Sequence, residues 1–335
     1  MSATIGVVVP IYRVERYVAG CIASIGAQTL APDWVVLVDD RGGDASMEVA
    51  LDAARRAGLP VEVLTQPENR GLSAARNTGL ARLDTDLVWF CDSDDTVEPG
   101  FLEQMRDALL SCDAQLAMCR TARVDEAGNT LSIDEDSFGA GRTLTGAELA
   151  RRLLLSEARG YACNKLFRRE LLGDAPFPEG HVYEDVAPPL LRIALAADRV
   201  ALVDAPLYHY LINETSISRR FGPHTHDLFV QDDHVRALLT DAGVLDGAEA
   251  DAWRWAHLRF RYDGVVFPAA NMALRAQMTG ESGGPDVDDI VGRARTLIDW
   301  RELPRLWRGG ATRQTIAAAV LAVSPWLYAQ VLRRR

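Results

Sequence analysis

Short apolar runs alternate with amphipathic segments through the first third of the chain. The apolar runs are Ile5 to Val9, Trp34 to Val38, Val61 to Leu64, Leu87 to Cys91 and Leu116 to Cys119. The segments between them carry apolar residues at helical spacing, at about Glu15 to Ala27, Ala45 to Ala57, Ser73 to Leu83 and Gly100 to Ser111. This rhythm predicts an α/β fold with a mostly parallel sheet, and runs that are apolar throughout indicate helices on both of its faces.

The pattern changes after the fifth apolar run. Asp125 to Gly141 is acidic and rich in turn residues, which predicts a connecting loop or hairpin, and helical spacing returns over Thr145 to Ser156. Two short strands are predicted between Arg199 and Ile212, separated by Asp204-Ala205-Pro206. From about His226 onward the sequence is typical of helices, so we expect a C-terminal helical region.

Two clusters of carboxylates end successive apolar runs. Asp39-Asp40 follows the second run, and Asp92-Ser93-Asp94-Asp95 follows the fourth. In an open α/β sheet, ligands bind outside the carboxyl ends of the strands, where both clusters would lie. Acidic residues also suit turns and helix N-caps. Because two clusters at equivalent positions need a cation or another partner to offset their repulsion, we favour a metal-assisted site for a phosphorylated ligand.

Composition narrows the cellular setting. The formal net charge of −11 argues against general nucleic-acid binding. The five cysteines form no Cys-x-x-Cys pair and predict no disulfide framework, which fits a reducing cytoplasm. No secretory signal is recognisable before the run that begins at Ile5, so we expect a cytoplasmic protein.

The C-terminal region has a charge pattern of its own. Nine arginines and two carboxylates lie between Arg293 and Arg335, and Trp300, Trp307 and Trp326 are interleaved with them. An apolar run, Ile316 to Val323, precedes the last arginines. This combination could lie in a membrane interface, here the inner face of the cell membrane, with its aromatic rings at headgroup depth. We favour a helical subdomain packed on the enzyme or on a second subunit and keep membrane contact as the alternative.

Several motifs occur in the order found in family 2 glycosyltransferases, and the chain resembles that family. The motifs cover roughly residues 5 to 220 and are Val7-Val8-Val9-Pro10-Ile11-Tyr12, Ser24 to Thr29, Val36-Leu37-Val38-Asp39-Asp40, Glu68 to Asn77, Asp92-Ser93-Asp94, Asn164-Lys165-Leu166-Phe167, Glu184-Asp185 and Tyr208 to Ser218. The resemblance implies a GT-A fold with a nucleotide-sugar-binding half at 1–115, an acceptor and catalytic half at 116–222, and a helical extension at 223–335. It also implies capsular polysaccharide or teichoic-acid assembly.

The resemblance assigns roles to individual residues. Nucleotide-binding residues would be Pro10, Tyr12, Asp40, Asn69, Arg76, Asp92 and Ser93. Tyr12 would lie against the base and Asp40 would accept the imide N–H of uracil, which makes a UDP-sugar the expected donor. Asp94, with Asp92, would hold Mn²⁺ or Mg²⁺ on the diphosphate. Asp185, positioned by Glu184, would deprotonate the hydroxyl of a glycan or lipid-linked acceptor, with inversion at the anomeric carbon.

Further positions each have two explanations. Arg70 flanks the start of the third helix and could reach a phosphate or simply face solvent. Ser216, Ser218 and Arg219 belong to a segment that, by the resemblance, folds over the diphosphate, although exposed loop residues would look the same. His226, two residues after His224, could offer an imidazole to the metal if this stretch is extended. A helix N-terminus would equally explain Glu184-Asp185.

Departures from the family pattern are equally informative. Arg13 stands where the family usually has asparagine, and Arg41 stands where it usually has glycine. Either arginine could add a contact to a phosphate or point into solvent. Neither substitution removes a carboxylate that the mechanism needs.

Two other functions also fit part of the sequence. The run that ends in Asp92-x-Asp94-x-Thr96 fits a haloacid-dehalogenase-like phosphatase, with Asp92 as nucleophile, Asp94 as acid/base and Lys165, the sole lysine, on phosphate. That interpretation leaves the Asp39-Asp40 cluster unexplained. A non-catalytic scaffold that binds nucleotide sugars is the third possibility.

Overall fold

The chain forms two compact units. The computed structural model describes residues 3–135, 138, 141–180, 188–212, 221–280 and 286–333. The first unit comprises residues 1–153 and 157–215, and the second comprises 154–156 and 216–335.

A ten-stranded sheet forms the centre of the first unit as far as it is described. Its strands are β1 Ile5–Ile11, β2 Trp34–Asp39, β3 Glu62–Thr65, β4 Leu87–Phe90, β5 Thr96–Val97, β6 Leu116–Val124, β7 Thr130–Asp134, β8 Thr143–Thr145, β9 Lys165–Arg168 and β10 Arg199–Leu211. The spatial order is β3-β2-β1-β4-β9-β6-β10-β5, with β7 paired to β6 and β8 to β10. Strands β3, β2, β1 and β4 are parallel, whereas β9 is antiparallel to both of its neighbours. The predicted α/β fold is confirmed, with a mixed sheet.

Helices cover this sheet. They are α1 Val18–Gly26, α2 Ser46–Ala57, α3 Gly71–Arg82, α4 Phe101–Ser111, α5 Gly146–Leu154, α6 Arg169–Leu172 and α7 Pro188–Ala196. Every residue of β1 is buried because helices pack on both of its faces. Helix α3 approaches β1 so closely at Gly79 that a Cβ atom there would overlap Val8. This close approach brings the N-terminal end of α3 to the carboxyl edge of the parallel strands.

The second half of the sheet differs from the sequence prediction. One continuous strand, β10, replaces the two short strands expected between Arg199 and Ile212, and its pairing to β6 shifts register between Val203 and Tyr208. Asp204-Ala205-Pro206 therefore forms a β-bulge, because the neighbouring strand carries the ladder past it. The expected hairpin is present as β6 and β7, whose turn is closed by the carboxylate of Asp125.

The second unit is helical, as predicted. Its helices are α8 Asp227–Asp241, α9 Ala250–Phe260, α10 Phe267–Thr279, α11 Val287–Thr296, α12 Leu303–Arg308, α13 Thr312–Val323 and α14 Pro325–Leu332, with a π-helical segment Arg261–Val266 between α9 and α10. Buried Asp232 lies 2.9 Å from Nε2 of His257 and 3.1 Å from Nε of Arg261, so its charge is compensated within the unit. Among the described helices, none has both the length and the apolar character needed to cross a bilayer.

Candidate functional site

The carboxyl ends of β1, β2 and β4 lie side by side. Ile11 is in register with Asp39, and Val8 is in register with Phe90. Backbone bonds continue past the strand ends, because Asp40 donates to Ile11 and Cys91 donates to Val8. Tyr12 and both acidic clusters are therefore brought to one edge of the sheet, as the sequence predicts for parallel strands.

Asp39 and Asp40 have different surroundings. Asp40 is buried, and its two carboxylate oxygens accept the backbone N–H groups of Arg70 and Gly71 at 2.8 and 2.9 Å, which caps the start of α3. Asp39 is only half-buried and lines an open cavity of about 200 Å³. The cavity's other lining residues are Ile11, Arg41, Gly42, Gly43, Asp44, Ser46 and Met47. Asp39 thus lines the open space, with its Oδ1 accepting the backbone N–H of Arg41 at 2.9 Å, while each Asp40 oxygen retains a further lone pair.

The second acidic cluster forms a turn after β4. Asp95 donates its backbone N–H to the carbonyl of Asp92 at 3.2 Å. Asp92 and Asp94 are half-buried. Ser93, which lies between them, and Asp95, which follows them, are buried. The two residues of the Asp-x-Asp pair are therefore the partly accessible positions of the turn.

Asp95 is held inside the fold. Its carboxylate accepts the hydroxyl of Tyr208 and the backbone N–H of Leu211, each at 2.7 Å. Burial, followed by the nearby charges of Asp94 and Asp92, raises the pKa of Asp95 well above its usual value. Asp95 therefore ties the turn after β4 to β10.

Carboxylates and a thiol meet beside this turn. Ligand atoms of Asp92, Asp95 and Cys163 lie within 4.8 Å of one another, the one such group found in the described part of the chain. Burial raises the pKa of the Cys163 thiol well above its usual value, so that sulfur is a poor ligand for a hard cation. Mn²⁺ and Mg²⁺ prefer oxygen ligands, which the accessible carboxylates of Asp92 and Asp94 offer. The chemistry of these donors therefore suits a divalent cation, and Asp92 and Asp94 are the partly accessible carboxylates of the turn.

Arg76 is a buried partner of this turn. Its Nη2 lies 2.7 Å from Oδ1 of Asp92, and its guanidinium carbon lies 5.2 Å from the ring centre of Phe177. A solvent-facing arginine is therefore excluded. The next residue, Asn77, holds the same segment through two bonds to the backbone of Phe177, at 2.7 and 3.1 Å. Helix α3 thus fixes both Asp92 and the chain around Phe177.

The two arginines that depart from the family pattern share an unusual backbone conformation. Arg13 has φ of 53° and Arg41 has φ of 58°, the left-handed region that asparagine and glycine tolerate best. Nε of Arg13 donates to the carbonyl of Gly42 at 3.1 Å, and Nε of Arg41 donates to the carbonyl of Gln66 at 2.7 Å. Both side chains therefore bond to the backbone near the cavity-lining loop at 41–44. The left-handed backbone conformation is present at both positions although neither residue is asparagine or glycine.

Other predicted residues occupy defined positions. Pro10 is buried at the end of β1, Tyr12 is half-buried beneath the guanidinium of Arg13, and Asn69 is exposed. Arg70 is exposed and forms an ion pair with Glu179. The side chain of Arg70 therefore has a surface carboxylate as its partner in this state.

Lys165 contributes to the core instead of the ligand edge. Its side chain is fully buried, and Nζ donates to the carbonyls of Arg159 and Tyr161 and to Oδ1 of Asn164, at 2.9, 2.6 and 2.7 Å. All three N–H groups of the ammonium are used. The role of a phosphate-binding lysine, which the phosphatase interpretation needs, is therefore wrong.

Some predicted residues cannot be placed with the others. Five of them lie outside the described residues: Glu184, Asp185, Ser216, Ser218 and Arg219.

His226 belongs to the second unit. It ends a 3₁₀ helix, Pro223–His226, so the expectation of an extended chain there is wrong. Its Nδ1 accepts a hydrogen bond from Arg293 at 2.7 Å, and Nε2 is the nitrogen left for any cation.

The motifs do not reveal the structural roles of three residues, because these roles depend on contacts in the folded chain. The three residues are Asp39, Tyr208 and Asn77. The signal for Asp39 is present, since it stands beside Asp40, but a pair of adjacent carboxylates does not show which one caps a helix. Tyr208 and Asn77 fall inside recognised motifs, yet their partners lie 113 and 100 residues away along the chain.

Sequence comparison shows the family. Residues 6–174 match the model of glycosyl transferase family 2. EpsH of Bacillus subtilis (strain 168) is 30% identical over 225 residues, which cover 66% of this chain and 64% of that protein. The glycosyltransferase GlyA of Streptococcus pneumoniae serotype 4 is 29% identical over 234 residues, covering 64% of this chain and 31% of GlyA. The chain thus matches less than two thirds of the length of either relative.

Structural comparison agrees on the fold. S. aureus TarS 1-349 in complex with UDP-GlcNAc superposes with a TM-score of 0.68 at 18% identity, covering 99% of this chain and 92% of TarS 1-349. The mannosyltransferase PcManGT of Pyrobaculum calidifontis, in complex with GDP-Man and Mn²⁺, gives a TM-score of 0.55 at 17% identity, with coverage of 97% and 88%. At such identities the likeness concerns the fold alone. The family model, which matches half of the chain, carries the assignment: the chain belongs to glycosyl transferase family 2.

Proposed function

We propose that this protein transfers a hexosyl or N-acetylhexosaminyl group from a nucleotide diphosphate donor to a hydroxyl of a glycan, teichoic-acid or lipid-linked acceptor. One observation carries the proposal: the cavity lined by Asp39 and the Asp92–Asp94 turn lie at the same edge of a family 2 fold. The cavity is smaller than the roughly 300–1,000 Å³ typical of whole ligand pockets. It suits the nucleobase, with the diphosphate and sugar outside it, toward the turn.

Uridine is the base that we propose. The structural relatives support it unevenly, since TarS is described with UDP-GlcNAc and with UDP, whereas PcManGT is described with GDP-Man. A carboxylate beside the cavity can accept the imide N–H of uracil, and the half-buried ring of Tyr12 offers a stacking surface.

Asparagine substitutions distinguish the two candidate carboxylates. Asp39→Asn should weaken UDP binding by about tenfold, because it removes a charged acceptor from the cavity. Asp40→Asn should instead lower the melting temperature of the unliganded protein, because an amide group cannot accept both N–H groups of α3. Calorimetric titration with UDP and melting without ligand, on both variants, separate the roles. A loss of UDP affinity in Asp40→Asn at unchanged stability would instead indicate that Asp40 recognises the base.

Asp94 and Asp92 would hold Mn²⁺ or Mg²⁺. A divalent cation supplies positive charge to the leaving diphosphate when it is bound. The salt bridge to Arg76 fixes the direction of the Asp92 carboxylate, so this side chain is oriented before any ligand arrives. PcManGT is described with Mn²⁺, which supports a divalent cation in general. His226 stays a candidate further ligand on the sequence alone.

Phosphate contacts are proposed from the arginines at this edge. Arg76 of α3 pairs with Asp92 of the turn, and Arg41 lines the cavity, while Arg70 would first have to leave Glu179. Ser216, Ser218 and Arg219 remain proposed residues of a segment over the diphosphate. The protein is proposed to act in the cytoplasm, at the inner face of the membrane where lipid-linked acceptors are accessible.

Arg41→Gly tests whether the strained arginine serves the donor. The change removes the cost of a left-handed non-glycine residue but also the bond to Gln66, so stability should change by less than about 1 kcal/mol. UDP affinity should fall by about tenfold if the guanidinium attracts the diphosphate. Denaturant unfolding and calorimetry measure the two effects. Arg55→Gln on the exposed side of α2 is the matched control, and equal affinities in both variants would contradict the assignment.

Asp185, oriented by Glu184, is our proposed general base. A base opposite the leaving group gives direct displacement, so the product should have inverted anomeric configuration, which NMR of the transferred sugar detects. Asp185→Asn should lower turnover by about a hundredfold with unchanged UDP affinity. Loss of affinity and turnover together would show a role in donor binding.

Thermal melting with a panel of donors tests the function as a whole. The full chain is melted with UDP, UDP-glucose, UDP-N-acetylglucosamine and GDP-mannose, each with Mn²⁺ or EDTA, and p-nitrophenyl phosphate hydrolysis is assayed in parallel. A Mn²⁺-dependent rise with uridine nucleotides, by mass action on the native state, is the expected result. Release of nitrophenol without any nucleotide shift would favour a phosphatase. A shift without turnover in any acceptor mixture would favour a nucleotide-sugar-binding scaffold.

A further inference from the structure

The last two helices of the second unit carry a concentrated apolar surface. Val323 and Trp326 are 72% and 71% exposed, the highest values among the large apolar side chains described. Ile316, Leu327 and Val331 are also exposed. The five side chains lie within 16 residues of sequence, and Val323 and Trp326 flank the junction between α13 and α14. We call these five residues the α13–α14 face.

Helical geometry explains why this surface points away from the described core of its own unit. Ile316 and Val323 are seven residues apart, so they lie on one side of α13, while buried Ala318 and Leu321 lie on another. Buried Tyr328 anchors α14, because its hydroxyl donates to Asn271 at 2.9 Å and its ring stacks on Phe267. The packing of α13 and α14 on their unit thus uses Ala318, Leu321 and Tyr328, and the five residues of the α13–α14 face are not needed for it.

The sequence of the last helices carries charge of one sign, and a carboxylate that reaches α13 from elsewhere in the unit is Asp263, 3.5 Å from Nε2 of Gln314. From Leu303 to Arg335 the sequence has six arginines and no carboxylate, although the whole chain has a net charge of −11. Arg308, Arg313 and Arg333 are exposed. Arg313 precedes Ile316 by three residues and therefore lies on the same side of α13. Apolar side chains and guanidinium groups are presented together.

We propose that the α13–α14 face docks on an anionic lipid surface. Trp326, Val323 and Leu327 would enter the boundary between headgroups and acyl chains, while Arg313 and its neighbours meet lipid phosphates. The twelve residues of α13 span about 18 Å, too short to cross a bilayer, so the helix would lie in the interface. A two-fold contact with a second copy would bring the same arginines together, and residues 303–335 contain no carboxylate to offset their repulsion.

Vesicle flotation of the full chain tests this proposal. The vesicles are phosphatidylcholine alone or phosphatidylcholine with phosphatidylglycerol. The variants are Val323→Glu/Trp326→Glu and, as a control, Leu131→Glu, which alters an exposed apolar side chain of β7. Wild type and Leu131→Glu should float with anionic vesicles only, and the double variant should bind at least about tenfold less. Circular dichroism and melting temperature confirm that each variant is folded.

Three results would overturn the proposal. The first is absence of flotation of the wild type with anionic vesicles at low salt. The second is equal flotation of the double variant. The third is a wild-type dimer in light scattering that the double substitution dissociates while vesicle binding is absent, because the face would then join two copies. Added salt should weaken the wild-type flotation, since screening reduces the attraction between arginines and lipid phosphates.

Discussion

Asp94→Asn is expected to lower donor turnover by about a thousandfold while leaving the melting temperature of the unliganded protein nearly unchanged. Asp94 is half-buried on the accessible side of the turn after β4, beside Asp92. The diphosphate gains negative charge as the glycosidic bond breaks, and asparagine cannot supply the carboxylate that would hold a compensating cation there. Release of UDP from a UDP-sugar in the presence of Mn²⁺ measures the effect.

The control for this substitution is Asp107→Asn. Asp107 is an exposed carboxylate of α4 that pairs with Arg106, so the same change of charge occurs away from the strand ends. Its turnover should stay within about twofold of wild type, as expected for an exposed pair. Wild-type turnover in Asp94→Asn would exclude this carboxylate from the cation site, and an equal loss in both variants would point to net charge instead.

Lys165→Met is expected to lower the free energy of unfolding by about 3–5 kcal/mol, the largest effect on stability that we predict. Lys165 is fully buried, and Nζ donates to Arg159, Tyr161 and Asn164. Methionine fills a similar volume but leaves three acceptors without a donor, each away from water. Denaturant unfolding measures the loss. The control is Arg168→Met, on the same strand but partly exposed, which should lower the free energy of unfolding by about 1 kcal/mol. Equal losses of free energy in both variants would show that the buried hydrogen bonds of Lys165 do not determine the effect.

The stability difference between wild type and Lys165→Met should also depend on pH. Burial lowers the pKa of Lys165 to about 8 in the folded protein, against an opposing effect of the Glu135 carboxylate. The unfolded chain keeps the ordinary value near 10.5. Between these values the unfolded state binds more protons than the folded state, so wild-type stability rises with pH relative to the variant. The deficit of Lys165→Met should therefore widen above about pH 8, and a deficit that narrows there would contradict the assigned shift.

The parallel half of the fold could be predicted because its strands are apolar throughout. Strands β1, β2 and β4 are buried on both faces, and the helices between them have a clear period. Strand β9 escapes such an analysis, since four residues with Lys165 at their head do not form an apolar run. The bulge in β10 was predicted as a break because Asp204-Ala205-Pro206 contains proline, yet the long pairing with β6 maintains the strand through it.

The chemistry at the site could be predicted only as far as each motif is local. The position of the two acidic clusters follows from strand order, and this part of the prediction needs no tertiary detail. Which of Asp39 and Asp40 faces the cavity depends on the N-terminus of α3, some 30 residues later. The burial of Arg76 depends on Phe177, 101 positions away, and no spacing rule reports such a contact. Contacts between side chains that are distant in sequence therefore limit how much of the site can be predicted from the sequence.

Calorimetric titration of the full chain with UDP, in Mn²⁺ and again in EDTA, tests the central claim most directly. That claim is a nucleotide diphosphate site completed by a divalent cation at the Asp-x-Asp turn. We predict binding of UDP in Mn²⁺ that weakens at least about tenfold in EDTA and to the same extent in Asp94→Asn. Equal UDP affinity with and without Mn²⁺, or no binding of UDP or GDP by the folded protein in Mn²⁺, would contradict it.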